Sequence, residues 1–232
     1  KVYGGDDADK IEITSSSSKS KVYGDGGNDI ITSNADESTI YGGSGNDKIV
    51  SNNIKATIYG DSGNDTITSN AANAEIYAGS GDDKIYSHSD DLIYAGSGND
   101  TVYVYDAGTI YGESGNDTFI INSFATPYTS LIFAGSGDDT LELGTITSAS
   151  ALKFGVNKFS YNDRTTTFDK NLERVNLVDN SMNTLIENYS ASSKYSWSET
   201  NFNFKASGDI AVANDVIIEH KNSLLSYESN SI

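Results

Sequence analysis

Cysteine is absent from this 232-residue sequence, proline occurs once and histidine twice. Without cysteine, the chain can form neither disulfides nor thiolate metal sites. No apolar run approaches the roughly 20 residues that span a bilayer, so we expect no transmembrane segment. Basic residues are also scarce, because 15 Lys and Arg stand against 33 Asp and Glu. The resulting net charge of −18 would repel phosphates, and we therefore expect no nucleic-acid partner.

Apolar residues are few as well. They make up 36% of the sequence, below the roughly 45–50% of typical globular domains. A chain this acidic repels itself and has a small core for its length. Its 15 Tyr and 8 Phe nevertheless argue against disorder, because disordered chains are poor in aromatics. We therefore expect a bound cation to stabilise the fold.

Eight related segments follow one another, each beginning with an aromatic residue. Their successive starts are 20, 18, 18, 18, 17, 17 and 22 residues apart. Each segment holds a Gly-rich loop ending in Asp, then a short β-prone run, and finally a second run that ends at the next aromatic. The eight aromatic residues are Tyr3, Tyr23, Tyr41, Tyr59, Tyr77, Tyr94, Tyr111 and Phe133.

One period thus contains two strands and two turns, which is one coil of a flattened parallel β-solenoid. Stacking in register places two Ile columns inside, as at Ile49 and Ile58, and turns the Tyr column outward as an aromatic ladder, because adjacent strand residues point to opposite faces. We expect this ladder to clad the sheet rather than to bind sugars. Length changes fall outside the Gly-Asp loop, in a Ser-rich excess at 15–20 and an insertion around 124–130.

The Gly-Asp loop has six positions after the aromatic. From the second copy onward, position four is always Gly and position six always Asp, as in Gly45 and Asp47. The Gly indicates a backbone site with positive φ. Stacked Asp residues would form a self-repelling column with a spacing of about 4.8 Å. Calcium favours carboxylate and carbonyl oxygens, whereas zinc would need His or Cys. The loop therefore predicts calcium, and the competing interpretation is a metal-free Gly-Asn-Asp turn.

Residues 42–50 read Gly-Gly-Ser-Gly-Asn-Asp-Lys-Ile-Val and resemble the RTX, or hemolysin-type, calcium-binding repeat G-G-x-G-x-D-x-U-x at every defined position. Seven copies over residues 23–143 are similar to it. The resemblance implies a right-handed parallel β-roll with each ion between loops on neighbouring coils. The earlier loop would give the carbonyls of positions two and four and its Asp. The later loop would give the carbonyls of positions one and three and its Asp.

Carried over to this sequence, the resemblance predicts a ligand set for each ion. Alanine at position one should be harmless, because only its carbonyl is used. The expected metal-binding residues are Asp9, Asp25, Gly27, Asp29, Gly42, Gly43, Ser44, Gly45, Asp47, Gly60, Asp61, Ser62, Gly63, Asp65, Ala78, Gly79, Ser80, Gly81, Asp83, Ala95, Gly96, Ser97, Gly98, Asp100, Gly112, Glu113, Ser114, Gly115, Asp117, Ala134, Ser136 and Asp139.

The number of ions follows from the repeats that have decayed. Tandem repeats would give calcium on both edges, but the alternate nonapeptide, as at 51–59, has lost its glycines and its Asp. We therefore predict one row of Ca²⁺ on one edge, of five to seven ions. The five sites between the loops at 24–29 and 112–117 fit the pattern best. The first site departs from the repeat pattern because Asp7 occupies the Gly position, and the seventh departs from it because of the insertion.

Composition changes after residue 143, where the Gly-Asp loop disappears. We predict a β-roll over 1–143 and a β-rich capping or continuation region over 144–232, because a bare solenoid end would invite aggregation. Alternating runs at 174–178, 202–204 and 215–219 indicate its strands.

No catalytic constellation is evident. His88 and His220 are isolated and are interpreted as surface residues, and Arg164 and Arg174 lie outside the repeats, which argues against a polysaccharide lyase. We expect a non-enzymatic, calcium-binding structural region of a secreted bacterial surface protein, of S-layer or adhesin type, that folds and assembles outside the cell. Self-association into a surface lattice, or contact with other cell-surface components, is a further expectation. The alternative is the C-terminal folding and secretion module of a type I-secreted hydrolase or toxin.

Overall fold

The computed structural model describes residues 1–14, 19–122 and 129–143, and beyond these only the strands between 152 and 226. Every element in the described part of the chain is a β-strand. The Ser-rich excess at 15–18 and most of the predicted insertion, 123–128, lie outside the described residues. The all-β solenoid predicted from the sequence is confirmed.

Strands alternate between two sheets along the chain. The first sheet begins with β1 (Val2–Gly5), β3 (Lys21–Gly26), β5 (Thr39–Ser44), β7 (Thr57–Ser62), β9 (Glu75–Ser80), β11 (Asp91–Ser97), β13 (Gly108–Ser114) and β15 (Thr129–Phe133). The second begins with β2 (Lys10–Ile13), β4 (Ile30–Ser33), β6 (Lys48–Ser51), β8 (Thr66–Ser69), β10 (Lys84–Ser87), β12 (Thr101–Val104), β14 (Thr118–Ile121) and β16 (Asp139–Leu143).

Neighbouring strands of each sheet are parallel and pair between equivalent residues of successive repeats. Tyr41 pairs with Tyr59 in the first sheet, and Ile49 pairs with Ile67 in the second. One repeat is therefore one coil, as predicted, and equivalent side chains form columns along the solenoid. Its right-handed sense stays a prediction.

The core consists of two facing columns, one from each sheet. Ile40, Ile58 and Ile76 of the first sheet and Ile49 and Ile67 of the second are completely buried. A single coil leaves these side chains open above and below, so their burial depends on stacking. Complete burial of one such side chain contributes about 1.5–3 kcal/mol. The core therefore stabilises the fold only when neighbouring coils are in register.

The aromatic column lies on the outer face of the first sheet. From Tyr3 to Phe133, successive ring centroids are 4.7–5.0 Å apart and the ring planes differ by 2–10°. Each ring covers the faces of its neighbours, which confirms the predicted ladder. A sugar stacks on an exposed ring face, so the interior of this column offers no such surface.

Both sheets continue beyond the repeats through β17 (Leu152–Gly155), β18 (Lys158–Tyr161), β19 (Arg164–Phe168), β20 (Leu172–Val178), β21 (Thr184–Ser190), β22 (Ile217–His220) and β23 (Ser223–Ser226). β19 pairs with β15 and β20 with β16 in parallel, after which β18 and β21 add antiparallel strands. Strands are thus present over the predicted run 174–178 and over residues 217–219 of the predicted run 215–219, and the run 202–204 lies outside the described residues. The division into two domains at residue 143 stays a prediction.

Candidate metal centre

The Asp at position six forms a buried column along one edge of the solenoid. Asp29, Asp47, Asp65, Asp83, Asp100, Asp117 and Asp139 are each at most 2% exposed. The backbone N–H of Asp47 donates to Oδ1 of Asp65 over 2.7 Å, and the same bond recurs at every step from Asp9 to Asp139. This ladder holds one oxygen of each carboxylate between adjacent coils.

The second oxygen of each carboxylate, Oδ2, is not part of this hydrogen-bond ladder. Within the described residues, Oδ2 accepts no hydrogen bond in Asp29, Asp47, Asp65, Asp83, Asp100 and Asp117. A buried, unsatisfied polar atom costs about 1–3 kcal/mol, and a charged one costs more. Six such atoms in one column indicate that a ligand of positive charge belongs beside them.

Burial also changes the proton affinity of the column. Desolvation raises the pKa of Asp65 to about 8 and outweighs the hydrogen bond from the backbone of Asp47, which lowers it. The same balance raises the pKa of Asp83 to about 7, of Asp117 to about 7 and of Asp100 to about 6. Without a cation, the column therefore binds protons more readily than ordinary aspartates do.

Backbone carbonyls of positions two and four point from each loop toward the following coil. Gly63 at position four has φ +124°, and a methyl group there would overlap the carbonyl oxygen of Gly45 one coil earlier. At position two, a methyl group on Gly79 would likewise overlap the carbonyl oxygen of Asp61. The glycines permit this close approach of backbone to backbone.

Carbonyls of positions one and three point the opposite way, toward the preceding coil. A methyl group on Gly60 would overlap both the carbonyl oxygen of Ala78 and Oδ2 of Asp65, so these two oxygens lie close together. At position three, the carbonyl of Ser62 accepts the N–H of Gly45 over 2.9 Å. Each gap between coils is thus bordered by carbonyls from both loops and by two carboxylates.

These donors fit a hard divalent cation. All are oxygens, and calcium accepts six to eight such ligands in flexible geometry. For the gap between β5 and β7, the residues that would hold the ion are Gly43, Gly45 and Asp47 of one loop and Gly60, Ser62 and Asp65 of the next. Within the described residues there is no group of three His, Cys, Asp or Glu side chains that could hold a metal. That finding agrees with a site whose remaining ligands are backbone carbonyls. The assignment of individual ligands and the number of ions stay predictions.

The two end loops differ in how well they keep this geometry. Positive φ is absent at Asp7, which occupies position four of the first loop, and Asp9 is only half-buried. In the last loop, Gly137 has φ +148°, and the N–H of Gly115 donates to the carbonyl of Ser136 over 2.9 Å. The loop after the insertion therefore stacks like the others, whereas the first loop departs at the position that the sequence indicated.

Position one carries a methyl group in three loops. Ala78, Ala95 and Ala134 are completely buried there. The methyl position lies beside the column carboxylate in the glycine-containing loops. That alanine is harmless at this position stays a prediction.

The opposite edge has a different chemistry. Its outer turns stack through side-chain amides, since Asn52 donates to Asn34 over 2.8 Å and Asn70 donates to Asn52 over 2.7 Å. One carboxylate, Asp91, is buried at this edge, but the hydroxyl of Ser87 and the N–H of Ala74 satisfy it at 2.8 and 2.9 Å. Among the described residues, a repeating carboxylate column occurs only on the first edge, in agreement with a single row of ions.

Two features of the site were not predicted from the sequence. Asn46 donates its N–H to the side-chain oxygen of Asn28 over 2.7 Å, and this second ladder recurs at position five along the loops. The recurrence of Asn or Asp before each column Asp was its only sequence signal. The second feature is the left-handed backbone of Asp25, Asp61 and Glu113 at position two, with φ of 72–74°. Glycine at the same position in other loops was the signal for it.

His88 also lies on the opposite edge. Its ring stacks on Tyr105 with a centroid distance of 4.4 Å, and its Nδ1 lies 3.3 Å from the carbonyl oxygen of Ser69. These contacts give the ring a packing role. The side chains of His220, Arg164 and Arg174 lie outside the described residues.

A family model for the RTX calcium-binding nonapeptide repeat, in four copies, matches residues 23–53, 59–90, 89–105, 109–120 and 127–145. These matches contain the loops from β3 to β16 and the column from Asp29 to Asp139. A comparison with curated proteins gave no match. In the described part of the chain, no helix is long and apolar enough to cross a membrane.

Proposed function

Because this chain is an RTX protein whose calcium-binding nonapeptide repeats fold as a β-roll, we propose that it is a non-enzymatic structural region of a secreted bacterial surface protein, of S-layer or adhesin type. In this proposal calcium drives folding and gives the surface structure its rigidity. RTX repeats are typical of type I-secreted proteins, and the proposed location of this chain is outside the cell.

The observation that supports the proposal is the row of unsatisfied Oδ2 atoms between the coils. Stacking buries the Ile core, but the same stacking buries one carboxylate per coil, and these two effects oppose each other. A divalent cation between the loops offsets the cost of burying these carboxylates, so that the binding free energy of the cation becomes folding free energy. The ion supplies positive charge there, while the chain supplies the oxygens and the register.

Calcium concentration would then decide where the chain folds. Extracellular calcium modules bind with dissociation constants of about 10⁻⁴–10⁻³ M, far above cytosolic calcium levels. A chain with such sites stays unfolded before export and folds afterwards. The strong negative charge supports the same order of events, because the uncompensated carboxylates repel one another.

The test is circular dichroism and calcium titration calorimetry on the whole chain and on Asp65→Asn. We expect chelation to abolish the β signal of residues 1–143 cooperatively and calcium to restore it. Asn at position 65 keeps an oxygen for the N–H of Asp47 but removes one charge from two gaps. The variant should therefore bind fewer ions or bind them more than tenfold more weakly, since losing a charge partner costs over 1.4 kcal/mol.

Asp36→Asn is the matched control, because Asp36 is an exposed acid on the opposite edge and the change in net charge is the same. It should bind calcium like the unchanged chain. A β signal that persists in chelator, or equal behaviour of the two variants, would contradict the proposal. The surface role is tested separately by light scattering with and without calcium, where calcium-dependent assembly supports it and a calcium-loaded monomer at every concentration argues against it.

A further inference from the structure

Position two of the calcium loops is either glycine or an acidic residue. Gly43 and Gly79 have φ of +114° and +117°, whereas Asp25, Asp61 and Glu113 have φ of 72–74°. The left-handed region suits glycine, although Asp adopts it more readily than most residues do. The acidic side chains are exposed, so burial of the side chain does not explain their presence.

Charge balance along the ion row gives such a side chain a role. Each calcium ion carries two positive charges, whereas each coil contributes only one column carboxylate. Neighbouring gaps are about 4.8 Å apart, so successive ions repel one another across a single shared aspartate. A row of this kind gains positive charge with every ion that it binds. Further negative charge near the row would reduce this repulsion.

Asp61 is placed to provide that charge to two gaps. It lies on β7, the strand shared by the gap toward β5 and the gap toward β9. It pairs with Gly43 across the first of these gaps, and its carbonyl oxygen lies against Gly79 across the second, so the residue borders both gaps. Oδ2 of Asp47 and of Asp65 is buried and accepts no hydrogen bond in the described structure.

We propose that the side chain of Asp61 determines calcium affinity in the row: beyond the ligand role expected of its backbone carbonyl, its exposed carboxylate offsets the excess positive charge of the two adjacent ions. The proposal rests on the calcium-binding function proposed above. Asp25 and Glu113 occupy the same position and have the same backbone conformation, and they supply the same charge to their own gaps. The residue at position two thereby ranks the sites: the gap between the loops of Gly79 and Gly96, which has glycine on both sides, should bind calcium more weakly than gaps with an acidic residue on one side.

Asp61 has two properties that an experiment must separate, its charge and its left-handed backbone. Asp61→Asn removes the charge and keeps a side chain that tolerates this backbone. Asp61→Gly removes the charge and relieves any backbone cost. Asp36→Asn changes the net charge equally on the other edge. The readouts are calcium affinity and stoichiometry by calorimetry, and the calcium concentration at the midpoint of folding by circular dichroism.

Both Asp61 variants should lower calcium affinity by roughly threefold to tenfold at about two sites, the range expected for an exposed, solvent-screened charge that borders an ion site. Both should also raise the calcium concentration at the midpoint of folding, because the binding free energy of the ions is folding free energy. Asp36→Asn should do neither. Equal calcium affinity in Asp61→Asn and Asp36→Asn would overturn the proposal, as would a calcium affinity that falls in Asp61→Asn but is normal in Asp61→Gly.

The proposed function and this inference fail in different ways. If the unchanged chain binds no calcium, the proposed function fails. If the unchanged chain binds calcium and Asp65→Asn does so more weakly, while Asp61→Asn binds normally, only the role of Asp61 is wrong.

Discussion

At the scale of single residues, the glycine at position four allows two coils to approach closely, because it has no side chain. Gly63 has φ +124°, and a methyl group on it would overlap the carbonyl oxygen of Gly45. Gly63→Ala should therefore lower the free energy of unfolding of the calcium-loaded protein by more than about 2 kcal/mol, from backbone strain and overpacking together. Chemical denaturation in excess calcium would measure this loss.

Gly26→Ala is the matched control for Gly63→Ala. Gly26 lies at position three, its φ is not positive, and the nearest atom to an added methyl group is Oγ of Ser44 at 3.3 Å. Other loops carry Ser at that position, so Gly26→Ala should change stability little. Equal losses of stability in the two variants would show that the folded state does not depend on the absence of a side chain at position four.

Single residues also show where sequence reasoning succeeds. A fixed period determines which residues share a column, so the buried Ile40 and Ile49, the stacked tyrosines and the register of Asp47 with Asp65 all follow from the repeat. The hydrogen bonds of the loop do not follow, because they depend on the backbone path through two adjacent turns. The ladder from Asn46 to Asn28 and the left-handed Asp61 became visible only in the folded coil.

At the scale of the element, several aspartates of the column share a raised pKa with the same cause, desolvation by burial. Burial raises the pKa of Asp65 to about 8 and of Asp83 and Asp117 to about 7, against about 3.9 in an unfolded chain. Because the folded state holds these protons more tightly, it gains stability that is fully present below about pH 4. That stability is lost as the pH rises through 6–8.

Metal-depleted protein should accordingly be unfolded at pH 8 and gain β structure as the pH falls toward 4, as followed by circular dichroism. In saturating calcium this pH dependence should be reversed or weakened, because the ions compete with protons for the same oxygens. Asp65→Asn should flatten the pH dependence of the metal-depleted form. A calcium-free chain that gains β structure as the pH rises would contradict the buried, uncompensated column.

At the opposite edge, the sequence predicted that ion sites are absent but not which contacts replace them. Loss of the glycines and of the Asp at 51–59 predicted an edge without ions, but not what replaces them. The structure has left-handed turns at Lys19, Glu37, Lys55 and Asn73, with a Lys19–Glu37 ion pair at 3.8 Å and backbone bonds between successive turns. Non-glycine residues at positive φ are too uncommon to be predicted from one sequence.

At the scale of the whole molecule, the two edges together determine how the fold depends on its surroundings. One edge relies mainly on hydrogen bonds of backbone and side-chain groups, and the other relies on an ion that the chain must take from its surroundings. The core buries only small amounts of apolar surface per coil, so it cannot offset the repulsion of the column alone. The sequence was sufficient to predict the dependence on a cation, because a low apolar content and a charge of −18 indicated one, but not the hydrogen bonds of the opposite edge.

The residue-for-residue pairing of the coils makes the length of the solenoid adjustable in whole steps. Deleting residues 42–59 would join Tyr41 to Gly60 and remove one complete period of the repeat, so every remaining column would keep its alignment. Such a shortened chain should fold with calcium, bind one ion fewer and be about 4.8 Å shorter. Removing nine residues, 42–50, would instead place a strand of one sheet against the other and should abolish folding. The length of the solenoid can therefore change only by whole coils.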